Sequence, residues 1–148
     1  MARYLVVAHQ TVTNPQLLNQ CKSVRQEDPQ AEFVLLVPAT PVHHLLFRRG
    51  NENEATTVAR KLADRARALF AKHGVQLSDA RVGAASPVDA IDDEVKANPG
   101  YAGFIISTLP KEDSHWLRLD LPRTVESKYD KPVYHVLTER EWTAGDLP

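Results

Sequence analysis

The chain has 148 residues, 43 % of them hydrophobic and 25 % charged, the balance of one globular domain and not of a disordered or fibrous chain. Eighteen basic residues against nineteen acidic ones leave a formal net charge of −1, which excludes a global pull toward nucleic acid. No run approaches the ~20 apolar residues of a membrane-spanning helix, and the single cysteine, Cys21, excludes an internal disulfide. Met1-Ala2-Arg3-Tyr4 runs straight into a strand pattern, so a chain without a signal peptide is expected, and with it a cytoplasmic location.

In chain order the first apolar run is Tyr4-Leu5-Val6-Val7-Ala8. Asn14-Pro15 then opens a helix, with Asn as N-cap and Pro at the first helical position, and Leu17, Leu18, Cys21 and Val24 follow at helical spacing. The second run, Phe33 to Val37, stops at Pro38. The spacing of Ala55, Val58, Ala59, Leu62, Ala66, Leu69 and Phe70 predicts a long helix over about 54–73, with Gly74 as its left-handed terminator. Its other face carries Arg60, Lys61, Arg65, Arg67 and Lys72, either a basic anion-binding surface or, as the interspersed acidic residues favour, a solvated face. A weaker run covers Ala80-Arg81-Val82.

Ser86-Pro87 caps a third helix through Val88, Ile91 and Val95. Phe104-Ile105-Ile106 is the fourth run, a short helix around Val125 begins near Asp120, and Val133 to Leu137 is the fifth. Runs that are continuous and not alternating suit parallel strands covered on both faces. Strands alternating with helices predict a three-layer α/β sandwich, a five-stranded parallel sheet in the order 3-2-1-4-5. Residues 1–138 form that domain and 139–148 a C-terminal tail. Two connections are long: Pro38 to Asn53, and Ser107 to Asp120.

In such a sheet ligands bind beyond the carboxyl ends of the strands, at the switch point between strands one and four. The candidate crevice residues are His9 and Thr11 after strand one, Val37 after strand two, Ser107 and Thr108 after strand four, and Arg118 and Asp120 farther on. His9 could serve as a base or simply hydrogen-bond its neighbours. No G-x-S-x-G surrounds Ser107, and a His–Asp pair without a placed nucleophile is no triad, so no catalytic residue is assigned. His43-His44 lack the i, i+4 spacing of a helical metal pair, and no metal site is expected.

Taken together, several segments resemble the universal stress proteins. Tyr4 to Leu18 is similar to that family's opening strand and helix, and Ala85-Ser86-Pro87-Val88-Asp89-Ala90-Ile91 to its G-x-P-x-x-x-I helix entry. Phe104 to Thr108 and Lys131 to Val136 are similar to its last two strands. The resemblance implies the adenine-nucleotide alpha-hydrolase-like fold, a stress-response or regulatory role, a cytoplasmic location, and homodimers paired through the last strand. One branch of the family binds ATP with Mg²⁺ through Gly, two residues, Gly, nine residues, Gly and Ser or Thr.

That spacing falls here on Ser107, Pro110, Asp120 and Leu121. Pro110 has no N–H to give a phosphate, Asp120 puts a carboxylate where a phosphate would sit, and His9 replaces the family's adenine-contacting Asp. The expectation is therefore a module that takes no cofactor and does not bind ATP in the usual mode, with Asp120 as an N-cap standing in for the anion. The alternative is a small-molecule or nucleotide binder using a variant crevice. Trp116, Val133, His135 and Leu137 are the candidate interface residues; Trp116 either anchors a partner, the homodimer or another protein, or tucks over the end of the sheet.

Overall fold

The computed structural model describes residues 2–40, 52–109, 116 and 120–138. Among these residues five parallel strands, β1 (Arg3–Val7), β2 (Glu32–Pro38), β3 (Leu77–Gly83), β4 (Gly103–Thr108) and β5 (Val133–Leu137), alternate with the helices α1 (Pro15–Glu27), α2 (Glu52–Lys72), α3 (Pro87–Ala97) and α4 (Leu121–Tyr129). The sheet order is β3-β2-β1-β4-β5, as the strand–helix alternation predicts.

Continuous apolar strands make sense because both faces of the sheet are covered. Val6, Phe33, Leu35, Val37 and Ile105 point to one side, against Leu17, Cys21 and Val24 of α1 and Ala55, Ala59, Ala63, Ala66 and Phe70 of α2. Leu5, Val7, Val34, Leu36, Phe104 and Ile106 point to the other, against Ala90 and Ile91 of α3 and Leu121 and Val125 of α4. Successive strand residues thus alternate between two cores, the period-two geometry of a strand.

The helix ends follow their sequence signals. Asn14 Oδ1 accepts a hydrogen bond from Gln16 N at 2.8 Å, and Ser86 Oγ one from Asp89 N at 3.4 Å. Gly74, at φ +85°, takes the left-handed turn that a side chain disfavours. Gly83 answers a different need: a Cβ there would lie 2.7 Å from Ala90 Cβ, so its absence lets α3 approach β3.

Strand β3 is longer than its apolar stretch suggested. Ser78, Asp79 and Arg81 interrupt the hydrophobic pattern because β3 lies at the sheet edge. Its register with β2 also slips, Phe33 facing Leu77 and Val34 facing Asp79, so Ser78 is an extra residue on the edge strand. Ser107 and Thr108, expected as loop, instead complete β4, paired with Val136 and Leu137.

Candidate functional site

The carboxyl ends of β1 and β4 lie side by side at the switch point, so the segment after Val7 and the last two residues of β4 share one corner. Beyond β1 the chain turns twice, with Val12 N donating to His9 O at 3.3 Å and Asn14 N to Thr11 O at 3.0 Å, and delivers Asn14 to α1 as its cap. Ser107 falls on the same face of β4 as Ile105, the α1/α2 side, and there Thr11 Oγ1 and Ser107 Oγ share a buried hydrogen bond of 2.6 Å. Thr108 falls on the opposite face. Its hydroxyl shares a 2.7 Å hydrogen bond with His135 Nε2 of β5. Its carbonyl accepts from Thr138 N at 2.9 Å and Thr138 Oγ1 at 3.0 Å.

His9 completes the corner. It is 7 % exposed, and its Nε2 is buried with no hydrogen-bond partner. Desolvation lowers its pKa to about 4, so the ring is neutral at pH 7. Burial also lowers the pKa of His135. The corner therefore holds buried hydroxyls that are paired with one another or with His135, and an uncharged, buried His9 ring. Thr108 and His135 make a hydroxyl–imidazole pair, but among the described residues no carboxylate bonds to the ring as it would in a catalytic triad.

Sequence reading and structure differ at particular residues. Thr11 and Ser107 meet in one hydrogen bond, Thr108 turns to the other face of β4 and pairs with His135, and His9 is buried just after β1, whereas Val37 is fully buried in the α1/α2 core as a packing residue. Asp120 is not the side-chain cap expected of it. Its backbone is left-handed, φ 54°, and its side chain makes no cap hydrogen bond to α4; the carboxylate lies 3.7 Å from Arg123 Nε instead. Left-handed dihedrals replace the extended backbone that a capping residue needs to turn its oxygen onto the first-turn N–H groups.

Trp116 is buried in the α3/α4 core with Leu121, which favours the reading in which it covers the sheet over the one in which it anchors a partner. Val133 is partly buried, while His135 is exposed and Leu137 is 53 % exposed at the β5 edge. Arg118, Pro110, His43, His44, the Leu45 to Gly50 stretch and the tail from 139 with Trp142 lie outside the described residues. Sequence reasoning missed Thr138 and the Thr108–His135 contact; the available signal was a polar residue directly after the last strand.

Solved structures share this architecture at low sequence identity. A universal stress protein family member from Burkholderia pseudomallei superposes with a TM-score of 0.60 at 13 % identity, over 91 % of this chain and 95 % of that one. The fold is that of the universal stress proteins. A universal stress protein in complex with cAMP gives a TM-score of 0.58 at 16 % identity, over 91 % of this chain and 96 % of that one. One from Archaeoglobus fulgidus in complex with dAMP gives 0.57 at 16 % identity, over 92 % and 97 %. No family model matches the sequence, and no curated protein is similar to it.

On the universal stress protein fold the corner built from His9, Thr11, Ser107 and Thr108 is thus at the sheet's switch point. Among the described residues no group of three or more His, Cys, Asp or Glu is placed to hold a metal ion, and no helix is long and apolar enough to cross a membrane.

Proposed function

We propose that this chain is a stress-response or regulatory module of the universal stress protein kind, non-catalytic, that acts in the cytoplasm as a homodimer paired along β5 and does not hold ATP in the family's usual manner. The observation that carries the last point is Asp120. Its carboxylate stands unbonded to the backbone at the head of α4, where a helix N-terminus would otherwise favour a phosphate. A phosphate brought there meets a like charge, and Pro122, in the first turn, has no N–H to offer. Pairing along β5 is supported by its position at the sheet edge, its unbroken register with β4 and the exposed Leu137.

The test is calorimetric titration with Mg-ATP of the wild type and of Asp120→Gly. Glycine suits φ 54°, so this substitution removes the carboxylate without straining the turn. The expected result is no binding by the wild type; binding regained only in Asp120→Gly identifies the carboxylate as the block. A micromolar Kd in the wild type overturns the reading.

A second reading is favoured by His9 Nε2, a buried polar atom just after β1 with no hydrogen-bond partner: a variant crevice that binds a small molecule or nucleotide. Structural neighbours in complex with cAMP and dAMP support it. Nucleotide found in the protein as purified, and lost in His9→Ala, would select this reading over the first.

A further inference from the structure

A parallel sheet has two edges, and here they differ. Strand residues point their N–H and C=O alternately to either side, so the direction of one residue fixes its neighbours. Gly83 O faces β2, accepting from Ala39 N at 3.0 Å, and the N–H and C=O of Ala80 therefore face outward. Both are occupied by side chains of the same molecule. Asp79 Oδ1 accepts from Ala80 N at 2.8 Å, and Arg60 Nη1 of α2 donates to Ala80 O at 3.1 Å. Ser78, the extra residue, distorts the same stretch.

We propose that the edge of β3 is a latent self-association surface, closed by Arg60, whose occupant when open is the β3 edge of a second copy of this chain. The sequence around Ala80 is self-complementary. In an antiparallel pair related by a two-fold axis through Ala80, the two Ala80 residues exchange both of their outward hydrogen bonds. The same register sets Asp79 opposite the Arg81 of the other copy, twice. Within one chain these two side chains already form an ion pair, Arg81 Nε to Asp79 Oδ2 at 2.9 Å, so both lie on one face; pairing requires Asp79 Oδ1 to leave Ala80 N and Asp79 to exchange its own Arg81 for that of the other copy, while Arg81 Nη1 keeps Glu94.

Arg60 opposes this pairing in two ways. It fills the acceptor that the second copy would use, and it adds charge where the α2 helices of both copies would approach on one side of the joined sheet. Arg67, 3.7 Å from Asp79, adds to the same repulsion. About half of the Arg60 side chain is exposed (49 %), with Asp64 at 3.7 Å as its ion-pair partner, so the closure is a surface contact that can be removed without touching the core.

The experiment is sedimentation velocity of the full chain over a range of concentrations, comparing wild type, Arg60→Ala and Arg60→Ala/Ala80→Pro, with amide exchange at Ala80 and Val82 as a second readout. Arg60→Ala should associate at a concentration at least tenfold below any association of that kind in the wild type, and its Ala80 and Val82 amides should become protected as it does so. Proline at 80 removes an outward N–H that the β2–β3 ladder does not use, and should abolish the gain. Circular dichroism verifies that each variant is folded. If proline unfolds the chain, the amide readout in Arg60→Ala alone decides. Sedimentation of Arg60→Ala identical to wild type overturns the proposal, as does association that persists with proline or leaves Ala80 unprotected. Pairing along β5 is a separate contact, so loss of that dimer would leave this result readable.

Discussion

Thr11 and Ser107, 96 positions apart in sequence, share a buried 2.6 Å hydrogen bond that ties the loop after β1 to the end of β4. Ser107 is 1 % exposed, so bulk water has no ready access to replace the lost partner. Ser107→Ala and Thr11→Val should each destabilise by about 1–3 kcal/mol, because each leaves a buried hydroxyl unsatisfied. The double variant should cost less than the sum, since both polar groups then leave together. Urea unfolding of the four proteins measures the coupling; strict additivity would mean that the bond contributes nothing.

His9 predicts a pH dependence with a definite sign. Its folded pKa is about 4 and its ordinary value 6.5, so between these limits the unfolded chain binds more protons. Stability should be full above pH 6.5 and fall as the pH drops toward 4, by about 3 kcal/mol from this residue. The lowered pKa of His135 acts in the same direction. Unfolding free energies of wild type and His9→Asn from pH 4 to 7 should show the smaller slope in the variant.

Glu94 holds together a part of the fold remote from the corner. The buried carboxylate accepts from Tyr101 Oη at 2.7 Å and Asn98 Nδ2 at 3.0 Å, and Arg81 pairs with it from β3. Glu94→Ala strands the phenol and the guanidinium. Because Arg81 retains 34 % exposure, the loss should lie at the low end of the ~3–5 kcal/mol typical of a broken buried pair. Glu94→Gln keeps an acceptor and should lose less by thermal melting.

Gly83→Ala tests the approach of α3 to β3. The added methyl would meet Ala90 Cβ at 2.7 Å and Leu36 Cδ1 at 3.0 Å, an overpacking expected to cost about 1–3 kcal/mol. Ala90→Gly in the same chain should recover part of that loss, net of about 1 kcal/mol for glycine within a helix. Chemical denaturation of the pair of variants decides, and no recovery would locate the clash elsewhere.

The fold was legible because its signals are local. Asn14-Pro15, Ser86-Pro87 and the apolar runs of β1, β2 and β4 each state their element within a few residues. Strand β3 was half legible, since an edge strand with Asp79 and Arg81 in an ion-paired, half-buried row breaks the apolar run by which a strand is recognised. Site contacts are long-range: Thr108 and His135 are 27 residues apart, and nothing in either neighbourhood announces the other. The left-handed backbone of Asp120 was illegible for a different reason, as an Asp before a helix reads as a cap whichever dihedrals the incoming chain imposes.

Helix α2 meets the sheet through Ala55, Ala59, Ala63 and Ala66, all buried. Alanine has no rotamers to release, so on the helix side of this seam side-chain hopping is confined to Phe70 and the partly buried Leu62 and is absent along these four positions. Over Ala55 to Ala66 the helix separates from the sheet by moving as a body, which makes α2 and the strands beneath Ala59 and Ala63 one unit of cooperative opening. Slow amides in that part of the chain should therefore share a common opening free energy, and a lesion anywhere along the alanine seam should be felt over its whole length.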